Sequence, residues 1–415
     1  MDPLAANRKQ KTLIMVLLCL GWMVNTFDRI AINVAVIPIS KEFGLTETQV
    51  GLVISSFFLS YAIMQPIGGS LADRFGSRKV ILFSLIAWSI FTILTGMAWS
   101  FLSLIVLRFL FGIGEGSYPS ASQVSLAETF PQKERGRAKS GLLAAGKLAG
   151  VLGTLAIASL ISIFDWQFMF MFIFLGLVGL LLAFFYWKYF YPAGTQGIQK
   201  NAPSEKMSLK QALKIPLLWQ LTVIYFGISI VSWGTAAWMP SYMVKVRDLD
   251  LVSMGAVATI PAIMGLITML FTGWLLDKYM VGREKYLIVL GALIGMISLY
   301  FFISAPSIPY VVMYGAFASI GIAIALTTTL TMPLKYIASS SIGTATGMVY
   351  LGGQLAGVIA PTVMGFMIQQ FNGSYDAGFW FLISALFIAL IVGMTVRTHS
   401  DETSDQATEI NSRAE

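Results

Sequence analysis

Twelve stretches of about twenty apolar residues, parted by short polar or Gly/Pro-bearing breaks, run the length of this chain, and few folds can accept them. Each is long enough to cross about 30 Å of hydrocarbon as a helix rising ~1.5 Å per residue. Their approximate limits are 13 to 37, 49 to 71, 79 to 98, 102 to 124, 138 to 164, 167 to 190, 217 to 242, 253 to 276, 285 to 304, 308 to 333, 342 to 370 and 377 to 396. A composition 57% hydrophobic and only 11% charged over 415 residues fits a chain solvated by lipid rather than several soluble domains. The expected fold class is an all-α membrane protein. The first stretch is too long for a signal-peptide core and carries charges, so it is expected to be retained.

The same composition removes most soluble enzyme chemistry. Cys19 is the sole cysteine, which excludes an internal disulfide or a thiolate metal cluster. His399 is the sole histidine and stands in the polar C-terminal tail, so neither a Ser-His-Asp triad nor a histidine-ligated metal fits the apolar body. The expectation is no enzyme, no cofactor and no metal. A net charge of +7 on so apolar a chain reports topology rather than nucleic-acid binding.

Loop charge orients the spans, because cytoplasmic loops retain excess Lys and Arg. With the N-terminus inside, only Lys41, Lys245 and Arg247 of the 27 cations face outward, three (Arg29, Arg108 and Lys147) fall within spans, and the other twenty-one lie inside. Both termini are therefore expected in the cytoplasm, on the inner side of a multi-pass cell-membrane protein. Residues 191–216, rich in Pro, Gly, Ser and Lys, read as a cytoplasmic linker between six-helix bundles over 1–190 and 217–398, with an amphipathic helix possible from Ser208 to Leu213. Residues 399–415 read as a disordered tail.

Internal repetition supports two pseudo-symmetric bundles. Gly69-Ser70-Leu71-Ala72-Asp73-Arg74 is matched by Gly273-Trp274-Leu275-Leu276-Asp277-Lys278, and Gly146-Lys147-Leu148-Ala149-Gly150 by Gly353-Gln354-Leu355-Ala356-Gly357. Both matches join span n to span n+6 in one orientation, the parallel repeat of a two-lobed carrier.

A charge at the bilayer centre costs at least ~2.5 kcal/mol, so each one needs a partner or a watery cavity. Asp28, Arg29, Arg108, Glu115 and Lys147 lie well inside the spans, all in the first half. Arg108 and Glu115 are two turns apart on one face, and Asp28 and Arg29 diverge by about 100°. The arrangement expected is Asp28 paired with Arg108, Arg29 left free for an anion, and Lys147 facing the cavity opposite Gln354. Gly146 and Gly150 would let helices approach closely at Lys147. The plain alternative is a set of static ion pairs that only tie helices together, or a Lys147 held permanently by an acid such as Glu115.

The loop Gly69, Leu71, Asp73, Arg74, Gly76, Arg78, Lys79 resembles the signature between the second and third helices of the major facilitator superfamily. Its acid and cations would meet helix ends and lipid phosphate, so Gly69, Asp73, Arg74, Arg78 and the repeat's Asp277 are gating candidates. Phe27-Asp28-Arg29, Arg108 to Gly116, and Phe130, Pro131, Lys133, Glu134, Arg135, Gly136, Ala138 are similar to the anion:cation symporter branch, which includes proton-coupled galactonate, glucarate and hexuronate carriers. The resemblance implies that Arg29 binds the substrate carboxylate, that Asp28 and Glu115 bind protons, and that Arg108 exchanges partners with them. It also implies a cavity role for Tyr61, with Gln354 standing where Asn is usual. Lys147 departs from the branch pattern.

The function expected is proton-coupled uptake, by alternating access, of a small organic anion such as an aldonate, aldarate or hexuronate. Lipid and protons are its partners, no nucleic acid is involved, and a monomer suffices. Organic anion/phosphate exchange, or carriage of a non-sugar mono- or dicarboxylate, is the alternative. Trp233, Trp238 and Tyr350 are further cavity candidates, while the run Thr327, Thr328, Thr329 and Thr331 offers hydroxyls that in membrane helices more often bond their own backbone.

Overall fold

The structure is a computed structural model describing residues 8–130, 132–163, 168–189, 209–337 and 342–396. Among the described residues fourteen helices run in order α1 (Arg8–Phe43), α2 (Glu47–Phe75), α3 (Ser77–Gly96), α4 (Phe101–Gly116), α5 (Tyr118–Thr129), α6 (Gln132–Ile163), α7 (Phe168–Tyr189), α8 (Leu209–Ala212), α9 (Pro216–Lys245), α10 (Leu251–Lys278), α11 (Glu284–Ile303), α12 (Ile308–Tyr336), α13 (Ile342–Gln370) and α14 (Tyr375–Thr395). They supply twelve segments long and apolar enough to span a membrane, with α4 and α5 sharing one and α8 too short to count. No strand occurs among the described residues. The expected all-α membrane fold is thus observed, and of the expected amphipathic stretch only Leu209–Ala212 is described as helix. The tail after residue 396 and most of the linker lie outside the described residues.

The break between α4 and α5 was not expected. Pro119 lacks the N–H that would reach the carbonyl of residue 115, so the helix stops at Gly116 and restarts through Ser117. Gly76, at φ 85°, turns the chain between α2 and α3 in a conformation that favours glycine. At the head of α2, Thr46 and Gln49 form a reciprocal capping box. At the head of α10, Ser253 hydrogen-bonds the exposed Asp250 through both its side chain and its amide, holding that carboxyl below the usual carboxylate range.

Two compact units emerge. The first comprises Met1–Ala202, Ala236–Thr259 and Pro361–Gly373. Within it α1 packs on α6 and α7, α3 on α4 and α7, and α2 on α4 and α5. The late segments join at the head of α2. Lys245 Nζ meets Glu47 Oε1 at 2.8 Å, the Thr362 hydroxyl donates to Ser55 at 2.9 Å, and Thr48 N–H donates to Gln369 at 3.3 Å. Trp238 is buried there, donating to the Pro361 carbonyl at 3.0 Å, so it acts as packing.

The second unit comprises Pro203–Thr235, Ile260–Ala360 and Ser374–Glu415, with α11 packed on α12 and α14. Trp233 donates to the Gly353 carbonyl at 3.2 Å, and Tyr350 lies 46% exposed, edge-on to Tyr225. Thr328, Thr329 and Thr331 return their hydroxyls to Ile324, Ala325 and Thr327 carbonyls, the backbone-bonding alternative. Glu284, a buried acid at the start of α11 that span-centred reasoning passes over, accepts from Tyr336 at 2.8 Å and Lys335 at 3.4 Å.

Glycines set the α2–α4 distance. A Cβ at Gly112 would lie 2.6 Å from the Phe57 carbonyl oxygen, and one at Gly116 would lie 2.7 Å from Met64 Cβ. By contrast, nothing lies within 4 Å of a Cβ placed on Gly150. Gly112→Leu is therefore expected to lower stability by about 1–3 kcal/mol and Gly150→Ala to leave it unchanged, read as thermal midpoints of the purified proteins. Equal midpoints would show that α2 and α4 are not held at that distance.

Candidate functional site

Asn25, Asp28 and Arg29 sit within about one turn on α1, and Asn25 and Arg29, four apart, share a face. That face meets Glu115 at the end of α4. The Glu115 side chain is wholly buried, and its Oε1 accepts from Asn25 Nδ2 at 2.8 Å and from Arg29 Nε at 2.5 Å. Its second oxygen, Oε2, has no hydrogen-bond partner among the described residues.

Arg29 is held on two sides. Beyond Glu115, its guanidinium stacks 4.2 Å from the Tyr61 ring centroid and 5.3 Å from that of Phe57, while its side chain remains 21% exposed. Arg108 also lies over Phe57, at 5.2 Å, and over Phe111 at 4.4 Å. Two guanidiniums therefore contact one aromatic side chain. Asp28, 1% exposed, has no hydrogen-bond partner among the described residues on either carboxylate oxygen, although the charges of Glu115 and Arg108 act on it.

This corrects the expected pairing. Arg29 is not free, since it takes Glu115, and Arg108 meets aromatic rings rather than hydrogen-bonding Asp28. The helical repeat is the reason. Turning Asn25 and Arg29 together onto Glu115 rotates Asp28 about 100° away. Asn25, Phe57 and Phe111 belong to the cluster and were missed. The available signals were a polar residue one turn before Arg29 and an aromatic one turn before Tyr61.

Lys147 stands apart. No ion pair or ring contact joins it to any described residue, and it is exposed on α6. The expected close approach lies one turn further on. Gly150 faces open space and Gly146 makes ordinary contact with Trp22, whereas Gly153 presses on Ile30. Gln354 lies in the second unit, half-buried on α13.

Of the gating candidates, Arg78 Nη2 donates to the Trp187 carbonyl in the last turn of α7 at 2.7 Å, a cation on a helix C-terminus. Arg74 lies over Phe75. Gly69 makes only ordinary contact with Ser120; the tight neighbour is Gly68, where a Cβ would lie 2.7 Å from Ser117 Cβ. The side chains of Asp73 and Asp277 lie outside the described residues. Among the described residues no group of three or more His, Cys, Asp or Glu could hold a metal ion.

Comparison with known proteins gives the setting. The model of the Major Facilitator Superfamily matches residues 18–356 and 281–413. A probable sulfoacetate transporter of Cupriavidus necator is 30% identical over 395 residues, spanning 89% of this chain and 90% of its own. The hexuronate transporter of Bacillus subtilis is 29% identical over 393 residues, 89% of this chain and 91% of its own. In fold, the chain is similar to a bacterial homologue of the human lysosomal transporter Spinster in an inward-facing and occupied conformation, with TM-score 0.83, 18% identity, and coverage of 94% of this chain and 96% of that one.

The two buried acids should respond unequally to substitution. Glu115→Ala strands Arg29 without its hydrogen-bonded partner and is expected to cost on the order of 3 kcal/mol. Asp28→Asn removes a charge that no hydrogen bond among the described residues satisfies but leaves the buried Arg108 less compensated, so it should shift the thermal midpoint far less than Glu115→Ala. A loss as large as that of Glu115→Ala would mean that the Asp28 carboxylate is paired after all.

Proposed function

Because the chain belongs to the Major Facilitator Superfamily and its relatives are transporters rather than enzymes, we propose that it carries a small organic anion across the cell membrane together with protons. The anion class we favour is the sugar acids, supported by the relative named for hexuronate. Both termini are placed in the cytoplasm, in accord with the bias of loop cations. The working unit is a monomer whose two six-helix halves rock about a midplane site.

One observation carries the reading: two arginines and two acids are buried together, with Arg29 alone partly exposed. With both acids ionised the four charges cancel. Each proton gained by Asp28 or Glu115 leaves one guanidinium charge uncompensated, and an anion restores neutrality. Proton loading and anion binding thus favour each other through electrostatics alone. Arg29 suits the anion because its fork of donors matches a carboxylate, and the Glu115 bond uses only Nε. On release, a proton leaving Glu115 lets it take Arg29 back, which expels the anion. Arg108 balances Asp28, Tyr61 holds the Arg29 guanidinium in plane, and Arg78 at the end of α7 belongs to the gate.

Lys147 extends this toward substrates with two acidic groups. Among the described residues it has no ion-pair partner, and its helix packs against the one that carries Arg29. The relative named for sulfoacetate fits such a substrate, since that anion bears both a carboxylate and a sulfonate.

Accumulation of glucuronate in proteoliposomes should rise as the outside is acidified, because protons are then more abundant where they load. A protonophore should abolish it, and Arg29→Ala should reduce it to background. Accumulation that survives the protonophore would replace symport with anion exchange, and normal uptake by Arg29→Ala would remove Arg29 from the site. Lys147→Gln should weaken binding of dianions about tenfold more than that of monoanions, measured by thermal shift across aldarates and aldonates. Equal weakening would leave Lys147 without a role in reading the second acid.

A further inference from the structure

The interior of the bundle formed by α1, α3, α5 and α7 holds a string of polar groups that neither packing nor the anion site explains. Beyond the break at Ser117, α5 continues from Glu115 with Tyr118, Ser122 and Ser125 at helical spacing and ends beside Glu128. Tyr118, Ser122 and Ser125 are buried, whereas Glu128 is exposed. The polar run therefore leads from a sealed carboxyl to solvent over about 20 Å.

The neighbouring helices add to it at matching heights. Ser77 of α3 donates to Glu128 at 2.5 Å, and Trp88, three turns along α3, packs edge-on to Tyr118 with ring centroids 5.0 Å apart. These two contacts set α3 antiparallel to α5 and bring Ser84 level with Ser122. On α7, Tyr186 faces Ser125, with Tyr118, Glu128 and Arg78 around it. From α1, Trp22 Nε1 donates to Ser122 at 3.2 Å.

Serines in membrane helices normally return their hydroxyls to a carbonyl of the previous turn, as Ser60 does here to Phe57. Ser84 and Ser125 do not. The Ser84 hydroxyl, Trp88 Nε1 and Glu115 Oε2 are buried without a hydrogen-bond partner among the described residues, and the Ser125 hydroxyl lies within reach of that of Tyr186. Buried polar groups gathered in one seam are the setting in which internal water is held.

We propose that this seam is a proton path, separate from the anion site, joining Glu115 to the membrane face at Glu128. It rests on the reading of Glu115 as a proton carrier. The protonated Glu115 passes its proton to a seam water. Each water or hydroxyl then accepts one proton and releases another, and the last proton leaves at Glu128. Glu115 is left as a carboxylate, balanced by Arg29 with Asn25 donating. The other charged groups near the start are Asp28 and Arg108, and near the exit Arg78. Such a path lets the proton leave without crossing the bound anion.

Ser125→Val and Ser125→Thr test this, since the two side chains match in shape and differ in the hydroxyl. In proteoliposomes given glucuronate, with a pH dye inside, Ser125→Val should slow net uptake and lumenal acidification about tenfold, while exchange of preloaded glucuronate, which needs no proton release, stays within about twofold of wild type. Ser125→Thr should behave as wild type in all three measurements. Valine and threonine variants that behave alike, whether both active or both impaired, would overturn the path while leaving symport standing. A wild-type protein that moves glucuronate with no pH change would instead overturn the coupling, and the path with it.

Discussion

The buried carboxylate of Glu115 is the constraint on which the first unit turns. An ionised acid so far from water is tolerable only with donors directed at it, and Asn25 and Arg29 supply them from one face of α1. That requirement fixes the rotation of α1 and hence sends Asp28 elsewhere. Close by, α4 ends for a separate reason. Pro119 breaks the helix four residues past Glu115, and the Tyr118 hydroxyl then reaches the Leu18 carbonyl at 3.1 Å, tying the restart to α1 as well.

The aromatic side chains of α2 complete the arrangement without adding charge. Phe57 and Tyr61, four apart, present their rings to two guanidiniums that would otherwise repel across the gap. They can reach because Gly112 and Gly116 let α2 and α4 touch backbone to side chain. Small residues at a helix contact thus serve the electrostatics: a bulkier α4 would draw Phe57 away from Arg108.

Much of the fold was legible because the bilayer imposes a length and a composition on every span. Helix ends shifted by several residues, as at α1, which extends from Arg8 to Phe43, since backbone hydrogen bonds continue past the apolar stretch. The charged cluster of Asp28, Arg29, Arg108 and Glu115 was legible as a set of residues, because charges in an apolar span have few explanations. Its wiring was not. Whether Asp28 or Arg29 meets Glu115 depends on a rotation of α1 that sequence periodicity leaves undetermined. Asn25 and the orphaned hydroxyls of α3 and α5 are uncharged and frequent in membrane helices, so nothing in their spacing marked them.

By itself the sequence determined that this chain lies in a membrane as helices and that it carries a few ionisable groups within its spans, for hydropathy and the cost of burying charge are properties of residue type. Only the tertiary structure decided which ions pair, which carboxyl has no hydrogen-bond partner among the described residues, and that a line of polar groups runs on along α5 from the buried charges. Those outcomes depend on helix rotation and on contacts of a few ångströms between residues far apart in the chain, such as Arg29 with Glu115 and Ser77 with Glu128.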